Sequence, residues 1–208
     1  GPNRAAFKNL LPRIAHLRHT FMPEQRFSIG EPDQGAELAD DLIRIVDLHG
    51  EGTIAAVIVE PMAGSAGVFP APQGDLRRLR ELCTRYGILL IFDEVITAFG
   101  RLGHTFASER FGIQPDMICF AKGVSSGVAP LGGVLISDKI HEAIMQGPEQ
   151  PIEFFHGYTY SGHPLAIAAG HAAVSLYAEE KLFERSQLLE PVFAELLVKL
   201  RDSPHVVD

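Results

Sequence analysis

The sequence predicts an α/β fold, a mostly parallel sheet flanked by helices, and three observations predict it. Four short apolar runs, near residues 53–59, 88–92, 117–121 and 132–136, are bounded by Gly, Pro, Asp or Ser, the punctuation of strands. Segments with helical spacing of apolar residues are interleaved with them, the order that wraps a sheet in helices. Hydrophobic residues make up 46% of the 208 and charged residues 21%, enough to build a real core. The length suits one α/β domain or the larger part of a bigger one.

Residues 1 to 34 are irregular, because Pro2, Pro12, Pro23 and Pro32 break any long helix. Gly35 to His49 reads as one helix, with Leu38, Leu42, Ile45 and Val46 near helical spacing. Thr53 to Val59 is apolar and β-branched, the composition of a strand buried on both faces. It stops at Glu60-Pro61, and a loop rich in Gly and Ala runs to Gly74. Asp75 opens a helix whose Leu76, Leu79 and Leu82 share a face, and Gly87 ends it in a left-handed conformation. A strand then leads to Asp93, a polar and aromatic segment covers Thr97 to Pro115, and another strand leads to Lys122. Leu131 to Ser137 is a further strand and Asp138 to Gln146 a short helix. Pro164 to Glu179, with Pro164 at the first helical position, and Glu180 to Arg201 are long helices. There are no repeats, low-complexity runs or linkers.

The formal net charge of -8 argues against a nucleic-acid partner, since phosphate backbones attract basic surfaces. Cys83 and Cys119 sit in apolar contexts without a ligand spacing and read as buried free thiols of a reducing compartment. The nine histidines form no metal-binding pattern, and no metal is assigned. No run approaches the roughly 18 apolar residues of a membrane span, so the expected location is cytoplasmic. The chain opens on Gly1-Pro2-Asn3 and closes on Pro204 to Asp208, which reads like the start of a strand. Both ends are expected to be cut.

Chemistry concentrates at Asp93 and Lys122. Two buried strands deliver a carboxylate and an amine to their carboxyl ends, the edge where open α/β sheets bind ligands. A lysine there can form a Schiff base with an aldehyde cofactor, and an aspartate can hold a pyridine nitrogen protonated, a pairing that points to pyridoxal phosphate. Taken singly, a lysine after a strand is usually a solvated turn residue, and a strand-end aspartate can be a helix cap or turn former. The apolar run ending in Asp93-Glu94 also matches the magnesium-binding strand of a P-loop ATPase. That reading needs a G-x-x-x-x-G-K-[ST] string, and none occurs; Lys122 is followed by Gly123-Val124.

The run Leu89-Leu90-Ile91-Phe92-Asp93-Glu94-Val95-Ile96-Thr97-Ala98-Phe99-Gly100-Arg101, then Pro115-Asp116 and Ala121-Lys122-Gly123, resembles the signature of class III pyridoxal-phosphate aminotransferases of fold type I. The blocks Val57 to Gly67 and His156 to Pro164 are similar to two further segments of that family, most like its ω-amino acid:pyruvate (β-alanine:pyruvate) members. The resemblance implies that Lys122 is the Schiff-base lysine and catalytic base, that Asp93 pairs with the pyridinium nitrogen, and that Val95 packs on the ring. It implies that Thr159 bonds the cofactor phosphate from the neighbouring subunit of a homodimer, and that the last strand, near 132–136, runs antiparallel. Glu60 is given only a supporting place.

Two departures narrow the subgroup. Ile96 stands where many members carry a glutamine to the cofactor's phenolic oxygen, and Ser65 stands where ornithine-type members carry a glutamate for dicarboxylates. The second favours pyruvate over 2-oxoglutarate as acceptor. The family's phosphate-binding loop and ring-covering aromatic are expected before Gly1, and its small domain after Asp208. Residues 1–208 would then be part of the cofactor-binding large domain, and alone would hold little cofactor and show no transaminase activity. The implied reaction is transfer of an amino group from an ω-amino acid or amine to pyruvate. The alternatives are a non-catalytic dimerisation or interaction module, and another enzyme of the same cofactor fold such as an aminomutase or decarboxylase.

Overall fold

Short strands joined by helices build the computed structural model, which describes residues 6–7, 11–146 and 154–206. The strands are β1 (Ala56–Val59), β2 (Met62–Ala63), β3 (Phe69–Pro70), β4 (Leu89–Asp93), β5 (Met117–Phe120) and β6 (Gly133–Ile136). The helices are α1 (Ala36–Ala39), α2 (Asp41–His49), α3 (Asp75–Tyr86), α4 (Ala107–Phe111), α5 (Asp138–Met145), α6 (Pro164–Glu179) and α7 (Leu182–Val198). The main sheet has the order β1-β4-β5-β6. β1 and β5 lie parallel to β4, and β6 runs antiparallel to β5. Each of the four expected strands is therefore present, the last with the expected reversal.

The core lies on one face of this sheet. Val57 pairs in register with Leu90, and Val59 with Phe92. Leu42 and Val46 of α2 and Leu76, Leu79, Leu82 and Cys83 of α3 pack with Val57, Leu90 and Phe92 in one buried cluster. Gly87 closes α3 at φ +67°, which a side chain adopts only at a cost.

Four expectations are corrected. Residues 51–53 form a 3₁₀ turn, so β1 starts at Ala56 rather than Thr53. β1 is not buried on both faces: Ile58 is 62% exposed, because β1 is an outer strand and the core helices gather on the Val57 face. The helix expected from Gly35 to His49 is two helices meeting at Asp40, whose carboxylate takes the Arg78 guanidinium of α3 at 2.8 Å. The loop after Pro61 contains the β2–β3 pair, a two-residue ladder too short to leave a period in the sequence. Ser203 and Val206 close a turn at the end of α7, and the rest of the strand expected at 204–208 lies outside the described residues. Among the described residues, no helix is long and apolar enough to cross a membrane.

Asp116 fixes how β5 sits on β4. Its carboxylate accepts the Leu90 N–H at 2.8 Å and the Arg80 guanidinium at 2.7 Å. Its own N–H donates to the Leu90 carbonyl, and its carbonyl accepts from Ser137 at the end of β6. Burial alone would raise the Asp116 pKa. The Leu90 N–H, the Arg80 bond and charge, and the Lys139 charge outweigh burial and hold it below the usual carboxylate value. Asp75 is the opposite case. Only 3% exposed and without a counter-charge among the described residues, its carboxyl is pushed up by burial to about 6.

The two groups have opposite linkage. Asp116 contributes stability at neutral pH that is lost as pH falls below its ordinary value of 3.8. Asp75 opposes folding above about pH 6, and that opposition disappears as pH falls toward 3.8. In urea unfolding at pH 7.5, Asp116→Ala should cost about 1.5–3 kcal/mol, the range for a hydrogen bond to a charged group. Asp75→Asn should add about 1–3 kcal/mol at pH 7.5 and little at pH 4.

Candidate active site

The carboxyl ends of β4 and β5 form one edge, because the two strands are parallel. Asp93, the last residue of β4, stands in register with Cys119, and Lys122 follows two residues after β5 ends. Glu94 N–H donates to the Cys119 carbonyl at 2.9 Å and extends the pairing past Asp93. Asp93 is half-buried; one carboxylate oxygen accepts the Val95 N–H at 3.1 Å. Among the described residues its other oxygen has no hydrogen-bond partner, and the side chain can still accept a proton-bearing nitrogen. Burial raises the Cys119 thiol pKa, and the Asp93 charge raises it further.

Lys122 opens a 3₁₀ turn, Lys122–Ser125, with φ +46°. A left-handed backbone costs a residue with a side chain about 1–2 kcal/mol, and such strain collects at functional sites. The side chain is exposed and, among the described residues, makes no ion pair or hydrogen bond. Its amine is free to react. Gly123 allows the turn to sit there: a Cβ on it would lie 2.9 Å from the Phe99 Cβ and 3.3 Å from the Ala98 carbonyl oxygen. Ser125 Oγ donates to the Ala129 carbonyl at 2.6 Å and closes the turn from behind.

Glu94 anchors the other side of the edge, a role that sequence reading missed. It is fully buried, and its carboxylate accepts N–H groups of Ala107 and Ser108 and the Thr97 hydroxyl. Burial raises its pKa, and those hydrogen bonds oppose the rise. The partners lie up to 14 residues away, so no local signal marks them. The loop between Thr97 and α4 is thereby tied to the end of β4.

Val95, half-buried, adjoins Asp93 through the bond already described. Ile96 packs over Gly64, where a Cβ would collide with it. The Glu60 carboxylate accepts the Gly64 N–H at 3.0 Å, in the loop on which Ile96 packs. Thr159 is exposed in a turn closed by the Tyr158–Ser161 bonds. No interaction among the described residues links it to Asp93 or Lys122.

The exposed Lys122 amine and the half-buried Asp93 carboxylate thus stand at one edge of a mostly parallel sheet. The chain belongs to the class-III aminotransferase family, whose model matches residues 2–208. An omega-aminotransferase of Caulobacter vibrioides is 54% identical over 99% of this chain and 47% of its own length. A beta-alanine–pyruvate aminotransferase of Pseudomonas aeruginosa is 47% identical over 100% of this chain and 47% of its own. The chain thus spans about half the length of these curated relatives. Among solved structures, the omega-transaminase from Pseudomonas jessenii in complex with PMP superposes with TM-score 0.86 at 32% identity, covering 98% of this chain and 45% of that one.

The anchor role of Glu94 is open to test. Glu94→Gln replaces a charged acceptor by a neutral one with a single accepting oxygen, and should lower unfolding stability by about 1–3 kcal/mol. Hydrogen exchange at Ala107 and Ser108 should rise in the variant, while that of Leu90 and Phe92 follows only the global loss.

Proposed function

We propose that these residues belong to the cofactor-binding large domain of a pyridoxal-phosphate-dependent aminotransferase. The reaction moves an amino group from an ω-amino acid or primary amine to pyruvate. One observation carries the reading: an exposed lysine in a left-handed turn, unpartnered among the described residues, stands at the same sheet edge as an aspartate with one carboxylate oxygen unbonded among them. The names of the relatives support the substrate class, and Ser65 in place of a glutamate supports pyruvate as acceptor.

The residues present fit the cofactor. Pyridoxal phosphate, when bound, supplies an aldehyde that takes up the amino group and a ring that draws electrons from the substrate's bonds. Lys122 would hold the cofactor through its amine, and the same amine, once released, would move a proton at the substrate carbon. Asp93 keeps the ring nitrogen protonated through its free carboxylate oxygen. Val95 lies beside Asp93 and packs on the ring. Thr159 holds the phosphate from the partner subunit of a homodimer, and its exposed turn suits that role. Phe155, Tyr158 and Tyr160 around it are 79–89% exposed, an aromatic surface of the kind that partner chains cover. The cytoplasm is the proposed location, in keeping with two unpaired cysteines.

The test is reduction with borohydride in the presence of pyridoxal phosphate, followed by peptide mapping of the complete gene product. The adduct should fall on Lys122 and disappear in Lys122→Ala; an adduct on Lys139 would show the assignment wrong. Asp93→Asn should still accept the cofactor, with transamination slowed by about 10²-fold or more, since a neutral ring nitrogen is a poor electron sink.

A further inference from the structure

One face of α6 lies on the Lys122 turn. Ala166, Gly170 and Ala173 are its buried residues, and Tyr177 continues the same stripe one turn on. Gly170 permits the approach: a Cβ there would lie 2.6 Å from Leu131 and 3.4 Å from the Val124 carbonyl oxygen. Small residues thus bring the helix close enough for Tyr177 to reach the turn with its hydroxyl.

That hydroxyl donates to the Gly123 carbonyl at 2.5 Å. It also lies 2.6 Å from Ser126 Oγ. A phenol has one proton, so Tyr177 donates to Gly123 and Ser126 donates to Tyr177. The Gly123 carbonyl accepts the Ser126 N–H as well, at 3.1 Å, and both of its lone pairs are then used. The chain Ser126–Tyr177–Gly123 closes around a turn whose first residue, Lys122, and whose following residue, Ser126, are both left-handed, at φ +46° and +50°. Neither has the glycine that such a backbone favours, and fixed partners must hold the conformation.

The Tyr177 ring touches the other half of the site too. It stacks on Phe99 at 6.3 Å and tilts against Phe183 at 5.6 Å. Phe99 belongs to the segment that leaves Asp93, and it is the residue Gly123 approaches. One side chain therefore touches the turn that carries Lys122 and the loop that follows Asp93.

We propose that Tyr177 is a positioning residue for Lys122, setting the direction of its amine relative to Asp93 by clamping the Gly123 carbonyl. The proposal rests on the reading of Lys122 as the cofactor-binding lysine. Tyr177→Phe keeps the ring and its contacts and removes the hydroxyl alone. Phe183→Leu disturbs the same aromatic packing and leaves the hydroxyl in place.

In the complete apoprotein, Tyr177→Phe should raise hydrogen exchange at Ser126 about tenfold, as expected for loss of one ordinary hydrogen bond. Covalent attachment of added pyridoxal phosphate to Lys122, followed by absorbance, should slow by roughly tenfold in the same variant. Phe183→Leu should lower the melting temperature at least as much and change neither quantity. Unchanged exchange or unchanged attachment in Tyr177→Phe overturns the proposal, as does Phe183→Leu reproducing both effects. Attachment that persists in Lys122→Ala removes the underlying reading and the proposal together, whereas the other failures remove the proposal alone.

Discussion

The parallel pairing of β4 with β5 in one fixed register is the constraint on which the rest of this edge depends. A slip of one residue would turn Asp93 to the face that Phe92 now buries and carry Lys122 out of line with it. Parallel ladders have no tight turn to set their register, so something else must. Asp116 does so at the start, bonding Leu90 through both its side chain and its backbone. Glu94 does so at the end, pairing its N–H with Cys119 while its carboxylate gathers the segment that follows. A charged hydrogen bond contributes about 1.5–3 kcal/mol, more than the roughly 1–2 kcal/mol of strain in the Lys122 backbone. The edge can therefore hold one residue in an unfavourable conformation without losing its order.

Three buried or half-buried acids show how burial alone fails to set a pKa. Asp75 receives desolvation and nothing to offset it, and its carboxyl rises to about 6. Glu94 is buried at least as deeply, yet hydrogen bonds from Ala107, Ser108 and Thr97 oppose the same rise. Asp116 has an arginine besides its backbone donor, and the balance reverses. What a carboxylate does here follows from how deeply it is buried and from whether a cation stands among its partners. Asp116 and Glu94 tie strands and loops together; Asp75, with no such donor among the described residues, is a cost the helix start carries.

Much of this was legible in the sequence, for physical reasons. Strands of continuous apolar residues closed by Asp, Lys or Gly announce both their ends and the side chains they deliver, as β4 and β5 do. Gly87 and Pro164 mark helix ends because their backbones favour those positions whatever surrounds them. What stayed hidden depends on partners distant in the chain. The exposure of Ile58 follows from the helices gathering on the Val57 face, Asp40 meets Arg78 some 38 residues away, and Glu94 is buried against Ala107 and Ser108. Nothing in the residue type of Lys122 signals φ +46°, because lysine does not prefer it.

The neighbouring pair Lys122-Gly123 resolves a conflict between chemistry and backbone. If Lys122 is the cofactor-binding lysine proposed above, the amine must come from the residue at the bend, and a glycine cannot stand there although the dihedral favours one. Its neighbour must lie against Phe99 and Ala98, so a side chain cannot stand there. Each position has the residue that the other could not use, and the strain left at Lys122 falls on a turn supported from outside by α6, through Gly170 and Tyr177, and closed by the Ser125 bond. A reactive lysine needs an amine without a partner and a backbone without freedom. Among the described residues the Lys122 side chain is left unbound, while Tyr177 and Ser125 bond carbonyls of the chain around it.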